Sequence, residues 1–208
     1  MKYLIVDCET SGLFDFSKPA DADGQPRLAS LTMIRASEDL TELDVTEFLV
    51  KPDGWELGEE AAAVNGLSMA KLDADGLPVA EVLAAYAGAI DDGLIVVAFN
   101  AQYDTKVMRG EMRRAGIDDR FERTPNICVM RALVDVCQIP KKKGGGFKLP
   151  KLAEACAHFG IVNGGEHTSG GDAMAALELF RNLHELGRVP EAAVHYAKTM
   201  PDRAPEAA

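Results

Sequence analysis

Three short stretches of this chain set acids, an amide and an imidazole at spacings suited to metal-assisted chemistry. The first is Tyr3-Leu4-Ile5-Val6-Asp7-Cys8-Glu9-Thr10, an apolar run that ends on two carboxylates spaced i, i+2. Side chains alternate across a strand, so Asp7 and Glu9 point to the same face. Two like charges about 4 Å apart repel by roughly 4 kcal/mol at an effective dielectric near 20. A cation seated between them removes that cost; capping the strand and facing water is the plain alternative. The second stretch, Asn100-Ala101-Gln102-Tyr103-Asp104, ends a buried apolar run and opens a helix. Asn100 is a good N-cap, and Asp104 lies one turn on, where an acid also compensates the helix dipole. The third, His167-Thr168-Ser169-Gly170-Gly171-Asp172, joins a loop to a helix. Ser169-x-x-Asp172 reads as an acidic variant of a capping box, which gives Asp172 a structural role of its own. A helix that starts near Ser169 leaves His167 in the preceding loop, free to bend over the same site, and Gly170 and Gly171 permit close backbone approach there.

These stretches depend on the elements around them. Tyr3–Val6 reads as a buried strand, followed by a Pro-, Gly- and Asp-rich loop over residues 14–26. Two further β-type runs, residues 27–35 and 44–50, flank the turn Ser37-Glu38-Asp39 and predict an antiparallel pair. Short helical turns are expected at 58–66 and 68–74, then a helix from Val79 to Ile90 with Val79, Val82, Leu83, Tyr86 and Ile90 on one face. The continuous run Leu94–Phe99 has the character of a strand covered on both faces. A helix from Asn100 to about Ala115 follows, then a short strand at Ile127–Met130 leading into a helix that ends before Pro140. Helices are expected at 150–159, 170–187 and 190–198. The order predicts an α/β architecture with a mixed sheet, one domain over residues 1–198, and a disordered tail over 199–208.

Taken in order, Asp7-x-Glu9-Thr10, Asn100-x-x-x-Asp104 and His167-x-x-x-x-Asp172 resemble the motifs of the DEDDh 3′→5′ exonucleases, the proofreading-type (DnaQ-like) group of the RNase H-like superfamily. Asp7-Cys8-Glu9-Thr10-Ser11-Gly12-Leu13 resembles that family's first motif, and Val64-Asn65-Gly66-Leu67-Ser68 its short apolar-Gly element. Phe99 departs from the pattern, since relatives often carry His before the Asn. The resemblance implies an RNase H-like fold: a five-stranded mixed sheet flanked by helices. It implies four metal ligands, Asp7, Glu9, Asp104 and Asp172, for two Mg²⁺ or Mn²⁺ ions, with Asp7 shared between them. Glu9 and Asp172 would serve the ion that activates water, and Asp104 the other. Hard cations of this kind take carboxylate oxygens, and an in-line phosphodiester displacement uses two of them. His167 is the implied general base, its ordinary pKa near ~6.5 suiting proton transfer around neutrality. On the same resemblance, Thr10 and the backbone after Glu9 bind the 3′-terminal hydroxyl. Leu13 wedges against the terminal base, Phe99 or Phe14 stacks on it, and Asn100 joins the substrate-binding edge.

The 208-residue chain carries a net charge of −11, which argues against passive, charge-driven binding to long nucleic acid but not against an enzyme using bound cations. No apolar run approaches a membrane span, and a cytoplasmic protein with no membrane partner is expected. Cys8, Cys128, Cys137 and Cys156 show no C-x-x-C spacing and read as buried thiols in a reducing compartment. His158, His184 and His195 read as structural or exposed. The expected partner is the 3′ end of single-stranded DNA or RNA, DNA favoured, with a DNA polymerase or repair complex beside it. An exoribonuclease, an RNase H-type endonuclease and a non-catalytic binding module are the competing readings. Lys141-Lys142-Lys143, followed by Gly144-Gly145-Gly146, is the densest basic stretch and reads either as a solvated loop or as a clamp on substrate phosphates. If it clamps, replacing the three lysines with glutamine flattens the salt dependence of oligonucleotide binding. An unchanged slope in a fluorescence-anisotropy salt series leaves it a solvated loop.

Overall fold

The computed structural model describes residues 1–41, 43–120, 124–165 and 167–194. Its sheet is built outward from β1 (Tyr3–Thr10), the middle strand in the order β3-β2-β1-β4-β5. On one side β1 pairs antiparallel with β2 (Leu28–Ala36), which pairs antiparallel with β3 (Leu43–Leu49). On the other it pairs parallel with β4 (Ile95–Ala98), which pairs parallel with β5 (Asn126–Cys128). The helices are α1 (Glu59–Asn65), α2 (Met69–Asp75), α3 (Val79–Asp91), α4 (Ala101–Arg114), α5 (Val129–Ala132), α6 (Val134–Cys137), α7 (Leu152–Phe159) and α8 (Ser169–Glu185). The five-stranded mixed sheet flanked by helices expected from the motifs is therefore present. No described helix is long and apolar enough to cross a membrane.

The alternation of β1 divides the interior in two. Leu4, Val6 and Cys8 pack with Val82, Leu83 and Tyr86 of α3 and with Val107, Met108 and Met112 of α4. Tyr3 and Ile5 pack on the opposite side with Cys156 of α7 and Leu177, Phe180 and Leu183 of α8. Helices on both faces explain why β4 and the first half of β1, Tyr3–Val6, are apolar without interruption. Asp7 and Glu9 continue the series of Tyr3 and Ile5, so the fold aims both carboxylates at the α8 side of the sheet.

Three boundaries differ from those expected. The strand does not stop at Val6 but runs through both acids to Thr10, because β2 keeps pairing with it through Asp7↔Thr32 and Glu9↔Ser30. The segment before Pro140 is two short helices that meet at Leu133 rather than one. Residues 190–194 are not helical; Ala193 pairs with Asn126, exchanging backbone bonds of 2.9 and 3.2 Å along the otherwise open edge of β5. The rest of the helix expected at 190–198, and the tail at 199–208, lie outside the described residues.

The loop over residues 14–26 is ordered by α4, a polar helix whose buried side chains reach out to it. Lys106 is 1% exposed and donates to the carbonyl of Lys18 at 2.8 Å. Glu111, also 1% exposed, receives both guanidinium arms of Arg27 at 2.8 and 3.0 Å and the Leu28 amide at 3.1 Å. Gly110 lets the Ala20 carbonyl approach to 2.5 Å from where a Cβ would stand, so the loop lies directly on the helix. Removing Arg27 takes two bonds from the buried Glu111 carboxylate and leaves it the Leu28 amide at 3.1 Å and the Arg114 guanidinium at 3.2 Å. Arg27→Ala is therefore expected to cost about 2 kcal/mol in urea unfolding; an unchanged midpoint would contradict this account of the loop.

Candidate active site

The end of β4 opens the site. β4 pairs with β1 only through Ile5↔Val97 and then turns into α4, so β1 runs on past its parallel partner. In open α/β sheets that crevice, outside the carboxyl ends of the strands, is where ligands bind. The amide of Cys8, beyond the last paired residue on that side, donates instead to the Asp104 carboxylate at 3.0 Å. Asp104, in the first turn of α4, is 3% exposed and thereby joined to the strand that carries Asp7 and Glu9. Asn100 occupies the N-cap position through its backbone, its carbonyl accepting from the Tyr103 amide at 2.8 Å, while its side chain makes no capping bond.

From the other direction, α8 delivers Asp172. The cap here is Thr168, whose hydroxyl accepts from the Gly171 amide at 3.1 Å, and not Ser169 as the motif suggested. Ser169 is buried and accepts from the hydroxyls of Ser30 and Thr32, each at 3.0 Å, which locks the start of α8 onto β2. Carboxylate oxygens of Asp7, Glu9 and Asp172 then lie within 4.8 Å of one another.

That convergence is electrostatically costly. Burial first, then the charges of Asp104, Asp172 and Glu9, push the Asp7 carboxyl well above the usual range. Burial, Asp172 and Asp104 push Glu9 up to about 7. Asp104 also rises to about 7 through burial, although the Cys8 amide opposes the rise. A set of crowded, half-buried carboxylate oxygens fits a hard divalent cation, because each oxygen is a preferred donor and the cation cancels the repulsion.

The remaining expected residues are placed unevenly. His167 is exposed two residues before α8, with φ 63° in the left-handed region, and is not among the groups whose ligand atoms converge. The Thr10 hydroxyl is buried and already engaged, with the Gly12 carbonyl at 2.8 Å and the Tyr103 hydroxyl at 2.6 Å. Leu13 is 88% exposed and lines a cavity of about 540 Å³ with Glu9, Thr10, Val64, Asn65 and Tyr103. Phe14 and Phe99 are buried, Phe14 against Tyr103 and Phe99 in the core beneath α8, which leaves little ring surface for a base. Lys141, Lys142 and Lys143 are exposed on a loop closed at its base by the pairing of Pro140 with Phe147. His158 and His184 are exposed, and His195 lies outside the described residues. Tyr103, Asn65 and Asn163 were not singled out by the motifs. Asn163 donates to Asp172 at 2.7 Å, and no local sequence pattern marks it.

A mixed sheet of this order, with carboxylates converging at the end of its central strand, defines an RNase H-like nuclease fold. The chain belongs to the Exonuclease (RNase T) family, whose profile matches residues 4–180. Solved structures of similar fold include E. coli exonuclease I in complex with a dT13 oligonucleotide, at TM-score 0.66 and 18% identity over 87% of this chain and 40% of that one. The zinc-bound form of the E. coli exonuclease I–single-stranded DNA complex gives TM-score 0.71 and 17% identity, over 88% and 40%. A 3′-exonuclease solved for its 3′-end-specific recognition of histone mRNA stem-loop gives TM-score 0.70 and 11% identity, over 91% and 85%. The chain thus spans about two fifths of the length of exonuclease I. No curated protein sequence gives a significant match.

The raised carboxyls set a pH dependence for the metal-free protein. Below the ordinary carboxyl value near ~4 both folded and unfolded states are protonated, and stability is full. As pH rises the unfolded chain loses these protons first, so stability falls until the folded groups titrate at about 7. In EDTA the melting temperature is expected to drop between about pH 4 and 7, and Asp7→Asn to flatten the drop. Mn²⁺ should raise the melting temperature most at the alkaline end. A metal-free stability that instead increases across this window would contradict the assigned environment.

Proposed function

We propose that this chain is an exonuclease, a phosphodiester hydrolase that works in the 3′→5′ direction on single-stranded ends, DNA preferred, releasing nucleoside 5′-monophosphates. The observation that carries the reading is the convergence of Asp7, Glu9 and Asp172 within 4.8 Å beside a cavity large enough for a nucleotide. Asp7, Glu9 and Asp172 would hold divalent cation, Mg²⁺ or Mn²⁺, with Asp104 bound to the same strand and available to a second ion. Such cations, when bound, supply charge neutralisation at the phosphate and a nucleophile from water. His167, exposed before α8, takes the proton that the attacking water loses. Leu13 and Val64 present apolar surface to the terminal base across the cavity, and the peptide groups after Glu9 face its sugar. Thr10 supports this wall through Tyr103 rather than offering a free hydroxyl. Lys141, Lys142 and Lys143 would clamp phosphates upstream of the scissile one, and Asn100 starts the helix that sets Asp104.

Both exonuclease I structures were solved with single-stranded DNA, which supports the DNA preference. The resemblance of Asp7–Leu13 to proofreading enzymes supports a DnaQ-like role in replication or repair, alone or beside a polymerase. An RNA substrate is the second reading, favoured by one observation. The chain covers 85% of the 3′-exonuclease that recognises histone mRNA, against 40% of exonuclease I.

A gel time course tests the proposal with 5′-labelled DNA and RNA of one sequence in Mg²⁺, Mn²⁺ or EDTA. The expected result is a cation-dependent ladder that shortens from the 3′ end, faster on DNA. Asp7→Ala should abolish it, and His167→Ala should slow it roughly 10²- to 10⁴-fold. A faster RNA ladder would select the second reading. Cleavage of a circular strand would make the enzyme an endonuclease, and silence from folded protein with both ions would leave a binding module.

A further inference from the structure

The turn that carries His167 is tied to the carboxylate cluster by the side chain of Asn163. Asn163 donates from its amide nitrogen to Oδ1 of Asp172 at 2.7 Å, while its amide oxygen accepts from the Gly165 backbone at 3.1 Å. Only this orientation of the amide meets a carboxylate with a donor and an N–H with an acceptor. From Gly165 the contacts continue: its carbonyl accepts from the Thr168 hydroxyl at 2.8 Å and from the Thr168 amide at 3.0 Å. The Thr168 hydroxyl in turn accepts from Gly171, and the Asp172 amide donates to the Thr168 carbonyl at 2.9 Å. The circuit therefore leaves Asp172 through its side chain and returns through its backbone.

The circuit is closed tightly. A Cβ on Gly165 would stand 2.9 Å from the Gly171 Cα, and a Cβ on Gly171 would stand 2.1 Å from the Gly165 carbonyl oxygen. Both positions need glycine, because the turn rests directly on the first turn of α8. His167 sits inside this circuit at φ 63°, a conformation that non-glycine residues adopt when their surroundings hold them there. Thr168, its neighbour, is the α8 cap, so the geometry of His167 and that of the helix carrying Asp172 are set together.

We propose that Asn163 is a positioning residue. It fixes the rotation of the Asp172 carboxylate and fastens the His167 turn to it, so that cation occupancy and the order of that turn are coupled. This rests on the nuclease reading for the role of His167, but the coupling itself involves only the carboxylates and the turn. With the amide bonded to Oδ1, the Asp172 carboxylate is held where one of its oxygens lies within 4.8 Å of those of Asp7 and Glu9. Partners of this kind, bonded behind a ligand, change metal affinity or activity by about 10- to 100-fold when removed.

Calorimetric titration of Mn²⁺ into wild type, Asn163→Ala and Asp172→Ala protein, with hydrogen exchange followed at Gly165, His167, Thr168 and Gly171, tests the proposal. Asn163→Ala is expected to weaken Mn²⁺ binding about 10- to 100-fold. Mn²⁺ should slow exchange across the turn in wild type and leave it fast in the variant. On a labelled oligonucleotide kcat should fall with KM little changed, and the loss should shrink in a His167→Ala background because the two residues act as a unit. If the alanine variant does not fold, Asn163→Ser replaces it, since its neutral hydroxyl can still accept from Gly165 in a turn of this kind and is too short to hold Asp172. Mn²⁺ affinity within twofold of wild type, with unchanged exchange, would overturn the proposal. So would a lower melting temperature in EDTA with unchanged Mn²⁺ affinity, the mark of a merely structural residue. Wild-type protein that binds Mn²⁺ through Asp172 but cleaves nothing would sink the nuclease reading and leave this coupling standing.

Discussion

Crowded negative charge at the end of the central strand is the constraint on which this structure depends. Asp7, Glu9 and Asp172 are brought within 4.8 Å of one another, and burial together with the neighbouring charges drives Asp7 and Glu9 upward in pKa. A fold tolerates such a cluster only if the surrounding elements are anchored elsewhere. β1 is anchored along its whole length by β2, and its apolar residues are sandwiched between α3 and α4 on one side and α7 and α8 on the other. The ion pair between Arg27 and Glu111 and the hydroxyl bonds of Ser30, Thr32 and Ser169 fasten the loop after β1 and the start of α8. The repulsion is thus held in place by contacts that do not themselves touch the acids.

The same geometry links topology to chemistry. β4 ends early, α4 starts there, and the Cys8 amide is left to bind Asp104. A longer β4 would pair that amide and displace the helix, so the shortness of the strand is a functional property. The cavity holding Leu13, Val64 and Tyr103 opens beside Glu9 on this side. A second cavity, of about 670 Å³, is also lined by Glu9, with Glu47, Lys71 and Thr168 among others. Glu9 therefore contributes to the walls of both open spaces.

Much of this was legible in the residues, and the failures are instructive. The apolar runs at Tyr3 and Leu94 located β1 and β4 because both are covered on both faces, which writes a continuous signal. The end of β1 was misread because hydrophobicity stops at Val6 while backbone pairing with β2 does not. Ser169 looked like the helix cap by spacing, yet burial against Ser30 and Thr32 takes its hydroxyl and the preceding threonine caps instead. Residues 190–194 carry helix-forming composition, but the open edge of β5 captures Ala193. Phe99, which departs from the family pattern and was expected to stack on a base, lies in the core. The bond from Cys8 to Asp104 joins residues 96 apart, and Asn163 belongs to no motif; both arise from tertiary closure that local patterns do not encode.

The central claim is that the fold crowds these carboxylates together so that a divalent cation can complete them. Anomalous diffraction from crystals grown with Mn²⁺ tests it most directly. The account predicts a strong Mn²⁺ peak bounded by Asp7, Glu9 and Asp172, lost in Asp7→Asn crystals. Well-ordered wild-type crystals with those three carboxylates in place and no peak between them at saturating Mn²⁺ would contradict it.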